Sequence, residues 1–520
     1  MNHSDQSHAD APRTQDSRPA LEPVIFDMSR PGHRSADIEA AGVDAAPVSE
    51  LLPGVALRER PPALPELAEP EVVRHYTRLS RLNHSIDLGF YPLGSCTMKY
   101  NPKVDGEMAS LPGFTHLHPY QDEGDIQGIL ELMWRLEQAL LAVTGMCRAT
   151  LQPAAGAHGE LVGILMIKAY HRDTGGDRRD TVIVPDSAHG TNLATATMAG
   201  YRVVELPSSE RGLVDPATLE AALSDRTAAV MLTNPNTLGL FEEDILEITR
   251  LAHEAGALVY YDGANLNAIM GKARPGDMGM DVVHMNLHKT FATPHGGGGP
   301  GAGPVAVCAR LEPYLPSPLV ARREPRETAS ADSADPDTGR PATFHLDHVR
   351  PSSIGRVRGF YGNVGVLVRA LTYILRMGGN GLTRASEDAV LNANYLRIRL
   401  RDVYEIPQDR LCMHEFVASG SRQKHTAGIT ARDIGKRILD YGMHAPTIYF
   451  PLIVPEALMI EPTETESRDT LDAFVEVMHH IDRETRTTPD VVRDAPHTTP
   501  VRRPDETLAA REPVLRWTPA

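Results

Sequence analysis

Cysteines and aromatic residues are scarce, with four cysteines and two tryptophans in 520 residues and aromatics at 5%. Cys96, Cys147, Cys308 and Cys412 stand far apart and form no C-x-x-C pair. That argues against a disulfide framework or a cysteine metal site and for a reducing compartment, the cytoplasm. No apolar run approaches membrane-spanning length, and the polar segment Met1–Ala20 lacks the apolar core of a secretory signal. Basic charge is in deficit: 52 Lys and Arg against 68 Asp and Glu leave −16. Such a balance disfavours an electrostatic nucleic-acid binder, local arginines around Arg356 and Arg358 notwithstanding. The glycine run from Gly296 to Gly303 lacks the G-x-x-x-x-G-K-[ST] order and is broken by Pro300. It reads as a lid or a cofactor rim, not a nucleotide cradle.

What is present suits a soluble globular protein: 41% of residues are apolar, and the length calls for at least two domains. Residues 1–65, rich in Pro, Ala and charge, read as a disordered start followed by an extended arm. A large domain is expected over 66–345, irregular between 71 and 120. From Asp125 an apolar face at helical spacing (Ile126, Ile129, Leu130, Met133, Leu136, Leu140) predicts a helix stopped near Gly145. Short apolar strands follow at Thr181–Val184, Arg202–Leu206, Ala228–Leu232, Leu258–Tyr261, Asp281–Met285 and Pro304–Cys308, alternating with helices. One of those helices is capped by Asp215 with Pro216 at its first position; another runs from about Glu243 to Ala255. The pattern predicts an α/β fold, a mainly parallel sheet with helices on both faces. Residues 322–345, charged and nearly free of aliphatics, read as a mobile surface insertion. A smaller C-terminal α+β domain is expected over 346–482, and 483–520 read as a loose polar tail.

Lys289 carries the chemistry of this pattern. It follows the Asp281–Met285 strand and precedes the glycine run, while Asp262 ends the neighbouring Leu258–Tyr261 strand. A lysine and a carboxylate at adjacent strand ends suit pyridoxal 5′-phosphate. The lysine would hold the cofactor covalently as a Schiff base, and the acid would keep its pyridine nitrogen protonated. Asp262-Gly263 is also an ordinary turn pair, and an isolated lysine is usually a solvated charge. Ala264 would lie under the ring. Gly156 and Ala157, in Gly-Ala-His-Gly-Glu before an apolar run, form a loop feeding a helix, where backbone N–H groups can hold a phosphate. His189, after the Thr181–Val184 strand, can lie flat on the ring and move protons. A hydrogen-bonded loop histidine is its alternative role. The Thr233–Thr237 turn, with Thr237 as its candidate, can bond the ring oxygen, and His288 adjoins the lysine.

Together these residues closely resemble the glycine-cleavage P-protein family, glycine dehydrogenase (decarboxylating), in its two-subunit form. The matching segments include YPLGSCTMKYNPK from Tyr91, GAHGE from Gly156, SAHGTN from Ser187 and DGAN from Asp262. NLHKTFATPHGGGGPGAGP from Asn286, SIGRVRGFYGN from Ser353, CMHEF from Cys412 and PLIVPEALMIEPTETES from Pro451 extend them. Residues 60 to 480 are covered, and the match is to subunit 2. The resemblance implies a pyridoxal-phosphate-dependent transferase of fold type I, aspartate aminotransferase-like. It also implies decarboxylation of glycine, with the aminomethyl group passing to the lipoyl arm of the H-protein. The implied assembly pairs this chain with P-protein subunit 1 as a heterodimer and dimerises that pair, in a system with T-protein and L-protein. For the glycine carboxylate, Arg356 and Arg358 are candidates by charge only. Two other readings stay open on the sequence: an amino-acid decarboxylase or aminotransferase of the same scaffold, and a non-catalytic scaffold.

Overall fold

The computed structural model of the chain describes residues 21–33, 42, 46–56, 58–60, 62–296, 301–323 and 343–518. Residues 90–493 form one compact unit; the described residues up to 89 and from 494 form another.

In the larger unit, β1 (Arg148–Thr150), β2 (Thr181–Pro185), β3 (Arg202–Leu206), β4 (Thr227–Thr233), β5 (Leu258–Gly263), β6 (Val282–Met285) and β7 (Val305–Val307) build one sheet. Its order is β1-β7-β6-β5-β4-β2-β3. The five strands from β2 to β6 run parallel, and β7 and β1 close one edge antiparallel. The mainly parallel α/β sheet expected from the sequence is therefore found. Its central strands are buried on both faces because alternate residues point into different cores. Ile183, Val230, Val259, Tyr261 and Val283 pack with Leu136 and Leu140 of the Gln127–Thr144 helix. Val182, Met231, Leu258, Tyr260 and Val282 face Val162 and Ile167 of the Gly156–Asp173 helix. Crossover helices at Gly190–Met198, Pro216–Ala222 and Ile245–Glu254 connect the parallel strands. The Asp215 carboxylate caps the second, accepting from Thr218 N–H at 3.0 Å.

Strands β8 (Leu319–Arg323) and β9 (Thr343–Asp347) pair antiparallel from Leu319↔Asp347 to Arg323↔Thr343. The ends of the expected 322–345 insertion are thus strands, and 324–342 lie outside the described residues. The Val364–Leu400 helix is kinked at Gly378 (φ 61, ψ 178), where the backbone leaves helical geometry. A second sheet, β10 (Phe416–Ser419), β11 (Thr447–Ile448) and β12 (Ala457–Ile460), has β12 in the middle and is antiparallel. Phe416, Leu458 and Ile460 pack there against Ile434, Ile438, Phe474 and Met478.

Two expectations are corrected. The loose tail does not begin at 483: the Arg468–Thr487 helix continues past it, and the Pro489–Arg493 helix buries Val492. The irregular stretch from 71 contains most of a helix, Glu69–Leu82, in the smaller unit. There Glu71 accepts from Ala68 N–H at 2.9 Å, and Glu22 takes Arg78 Nε at 2.7 Å and His75 Nδ1 at 2.9 Å.

Candidate active site

The carboxyl ends of β2, β4, β5 and β6 converge on Asp262. The β5–β6 register sets it opposite His284, and it is 2% exposed. Its Oδ1 accepts from Ala264 N–H at 3.0 Å and lies 3.3 Å from His284 Nε2. Its Oδ2 accepts from the Asn192 amide at 2.9 Å and from the Thr233 hydroxyl at 3.3 Å. Burial pushes this carboxyl up, but His284, His189, the Ala264 N–H and Asn192 outweigh it, so Asp262 sits below the ordinary carboxylate range. Asp262 is an ionised, fully satisfied buried acid, not a solvated turn residue.

A second layer holds this acid. Asn192 also donates to Glu160 Oε2 at 3.0 Å, and Glu160 accepts from Thr191 Oγ1 at 2.7 Å and Thr195 Oγ1 at 3.2 Å. His284 Nδ1 lies 2.8 Å from the Tyr260 hydroxyl. Glu160, Asn192, Thr233 and His284 were not singled out as site residues in the sequence. Glu160 and Asn192 nevertheless stand inside the GAHGE and SAHGTN segments.

His189 caps the Gly190–Met198 helix: its Nδ1 accepts from Thr191 N–H at 3.3 Å, and its own N–H donates to Thr233 Oγ1 at 3.0 Å. Its ring lies 5.5 Å from that of Phe450. Burial and Lys289 lower its pKa against the opposing pull of Asp262 and Glu160. The ring is neutral near pH 7 and feels both the acid and the lysine.

Lys289 sits in a single helical turn, Leu287–Thr290, directly after β6. Half-buried, it donates from Nζ to the Ser95 carbonyl at 2.6 Å. The amine thus points into the protein, at a loop the sequence reading left without a role. That loop is pinned by Lys99, whose Nζ meets Glu464 Oε1 at 2.6 Å, Thr290 O at 2.7 Å, Asn267 Oδ1 at 3.0 Å and Tyr373 OH at 3.3 Å. Burial would lower this ammonium's pKa, but Glu464 and Tyr373 more than restore it. Lys99→Met would strand Glu464 in the interior and is expected to cost about 3–5 kcal/mol, read by denaturant unfolding. Adding Glu464→Gln should recover most of that loss; equal stabilities of wild type and Lys99→Met would contradict this role.

Gly156 opens its helix as expected, buried, with Ala157 exposed beside it. A Cβ at Gly156 would overlap the Asn286 amide, whose buried Oδ1 has no partner of its own. Glycine and the backbone N–H groups of a helix N-terminus fit a cofactor phosphate. Ala264 adjoins Asp262, half-buried. Two of the expected residues do not join the group. Thr237 is buried and donates from its N–H and hydroxyl to Ser187 O at 3.0 and 2.8 Å, so its proton is spent; Thr233 stands at Asp262 instead. His288 faces Ala302 N–H at 3.4 Å and His295, and burial lowers its pKa to about 4. Arg358 donates to Asn363 Oδ1 at 2.9 Å, and Arg356 is exposed.

Comparison with known proteins gives a consistent picture. Residues 385–501 match the model described as "Glycine dehydrogenase, C-terminal domain", and 164–298 match "Aminotransferase class-V". The chain is 56% identical to the probable glycine dehydrogenase (decarboxylating) subunit 2 of Caldanaerobacter subterraneus subsp. tengcongensis, over 95% of this chain and 98% of that one. The protein of the same description from Thermococcus kodakarensis is 56% identical, over 95% and 96%. Among solved structures, an inhibitor-bound glycine decarboxylase (P-protein) superposes with TM-score 0.65 at 21% identity, covering 84% of this chain and 93% of that one. A cysteine desulfurase from Thermococcus onnurineus gives 0.57 at 15%, covering 78% and 98%. The fold is that of the type I pyridoxal-phosphate enzymes.

Proposed function

The chain belongs to the glycine dehydrogenase (decarboxylating) subunit 2 family, and from that premise we propose which of its residues carry the reaction. It is an enzyme of glycine decarboxylation that uses pyridoxal 5′-phosphate. When bound, the cofactor supplies an electron sink for the pair left by the departing carboxylate.

Lys289 would hold the cofactor covalently, Asp262 would pair with its ring nitrogen, His189 would lie against the ring as a neutral imidazole, and the backbone at Gly156 and Ala157 would take the phosphate. Asn192 and His284 keep Asp262 ionised, Thr233 helps aim it, and Glu160 holds Asn192 in place. The Cα–carboxylate bond of glycine breaks and CO2 leaves. The aminomethyl carbon then bonds one sulfur of the H-protein's lipoyl disulfide, while the other sulfur takes a proton. The chain works in the cytoplasm with P-protein subunit 1 as a dimer of heterodimers, beside T-protein and L-protein. Within the 90–493 unit, the part up to residue 345 forms the cofactor-carrying domain and the part from 346 to 493 the smaller one.

The observation that carries this reading is Asp262, buried, ionised, held by three hydrogen bonds and 3.3 Å from His284 Nε2, beside the strand that leads to Lys289. Exchange of labelled CO2 into glycine, assayed with subunit 1, tests it. Exchange on glycine that rises at least about tenfold when lipoylated H-protein is added is expected, since binding of the second substrate completes the site. Exchange on larger amino acids and none on glycine would overturn it.

A further inference from the structure

Beneath Lys289 lies a pair of acids that the cofactor assignment leaves without a role. Glu415 directly precedes β10 and Glu461 directly follows β12. Those strands pair with Phe416 opposite Ile460, so one further step along the ladder sets the two glutamates opposite each other. They are 4% and 0% exposed. Both aim at one loop: Glu415 Oε2 accepts from Ser95 N–H at 2.8 Å, and Glu461 Oε2 from Thr97 N–H at 3.0 Å. Glu461 Oε1 also accepts from Asn265 Nδ2 at 2.9 Å. Ser95 and Thr97 hold left-handed backbone (φ 67 and 45), uncommon for residues with a Cβ, and that conformation turns both N–H groups toward the acids. The carbonyl of the same Ser95 receives the Lys289 amine.

We infer that Glu415 and Glu461 are a proton-sharing carboxyl pair that positions Lys289, by fixing the Ser95–Thr97 loop against which its amine rests. The inference rests on the reading of Lys289 as the cofactor lysine. Their ligand oxygens and a His414 nitrogen all lie within 4.8 Å of one another. In a dry interior, and without the bridging amide that Asn192 gives Asp262 and Glu160, two carboxylates this near resist double ionisation, so the pair keeps one proton and one negative charge. Burial pushes both acids up, and Glu461 pushes Glu415 further, against the Ser95 and Thr97 hydrogen bonds, Asn265 and Lys289. The groups around them are Lys289, Cys96 and His414. His414 is buried with neither ring nitrogen partnered, and burial and Lys289 lower its pKa to about 3, so it adds no positive charge. His189, His288 and His295 face Lys289 and are likewise held neutral. The pair then carries one negative charge, and the spare proton keeps the second carboxyl as a neutral bracket for the loop.

Infrared spectra of the apoprotein and kinetics of the loaded enzyme test this together. Wild-type apoprotein at neutral pH is expected to show the C=O stretch of a buried, protonated carboxyl. Glu137 and Glu242, buried and raised to about 7, add to that band, so each single variant, Glu415→Gln or Glu461→Gln, should lose one carboxyl's share of it in the difference spectrum against wild type, because the remaining acid ionises. In the loaded enzyme Glu461→Gln, which keeps an acceptor for Thr97, should lose at most about tenfold in kcat, and Glu461→Leu, which keeps none, at least about fiftyfold. The glycine KM should stay within about threefold in both, since the loop positions the lysine, not the substrate. Absence of that share from the difference spectra, wild-type kcat in Glu461→Leu, or a stoichiometric divalent ion on the His414, Glu415 and Glu461 cluster would overturn the inference. Should Glu461→Leu fail to fold, the difference spectra of the glutamine variants decide alone. If the cofactor attaches elsewhere than Lys289, the proposed function falls as well; if it attaches there and the difference spectra show no such loss, only this inference falls.

Discussion

Lys289→Ala is expected to give a folded protein that binds no cofactor covalently and has lost at least about a thousandfold in glycine decarboxylation, because no other group forms and exchanges the link to the aldehyde. The side chain is half-buried and makes one hydrogen bond, to Ser95 O. Its removal takes away that hydrogen bond and the charge that acts on Glu415 and Glu461, and should shift stability by about 1–3 kcal/mol, small beside the loss of chemistry. The contrast between near-native stability and abolished chemistry separates a reacting group from a structural one. Absorption spectra after addition of pyridoxal phosphate, recorded with and without subunit 1, check it: the visible band of the wild type should be absent. A variant that keeps the band and measurable turnover would remove Lys289 from its role. Lys99 is the natural suspect in that event, being buried and close in sequence to the Ser95 loop, but all its donors are committed to Glu464, Thr290, Asn267 and Tyr373.

Asp262→Asn is the second large effect. The substitution keeps size and removes charge, and the geometry makes it costly in two ways. Both oxygens of Asp262 accept: Oδ1 from Ala264 N–H, Oδ2 from Asn192 and Thr233. An amide offers one oxygen, so one buried donor loses its partner and about 1–3 kcal/mol of stability goes with it. The ring nitrogen also loses the anion that keeps it protonated, and with it the electron sink. A fall in kcat of about a hundredfold or more is expected, with glycine KM changed far less, since the loss falls on the transition state. Steady-state kinetics with saturating lipoylated H-protein measure the split. A kcat within threefold of wild type would mean that Asp262 serves only the fold.

The parts of this site that could be read from the sequence are those whose neighbours along the chain reveal them. Val182–Val184, Met231, Tyr260 and Val283 stand in apolar runs too short for helices and buried on both sides, and the polar residue ending each run is marked by that contrast. Asp262 and His189 stand out in this way, Lys289 by its place between an apolar strand and a glycine run, and Gly156 by its place before a helix. The acids under Lys289 have no such marker. Glu415 meets Ser95 across 320 residues and Glu461 meets Thr97 across 364, so only the pairing of β10 with β12 brings them together. Pairing direction is equally silent in an apolar run: Val305–Val307 reads like its parallel neighbours yet lies antiparallel to β6. The Glu69–Leu82 helix was missed because its fourteen residues, EPEVVRHYTRLSRL, are largely charged and polar and bury only His75 fully. Thr237 was chosen over Thr233 although both belong to one turn; which hydroxyl is spent on Ser187 depends on how that turn packs.

Borohydride reduction of the cofactor-loaded protein, followed by peptide mapping, reaches the centre of the account in one step. A single phosphopyridoxyl group on Lys289, in the peptide that contains Asn286-Leu287-His288-Lys289, is the expected result. Label on any other lysine, or no label on a protein that decarboxylates glycine, would contradict it.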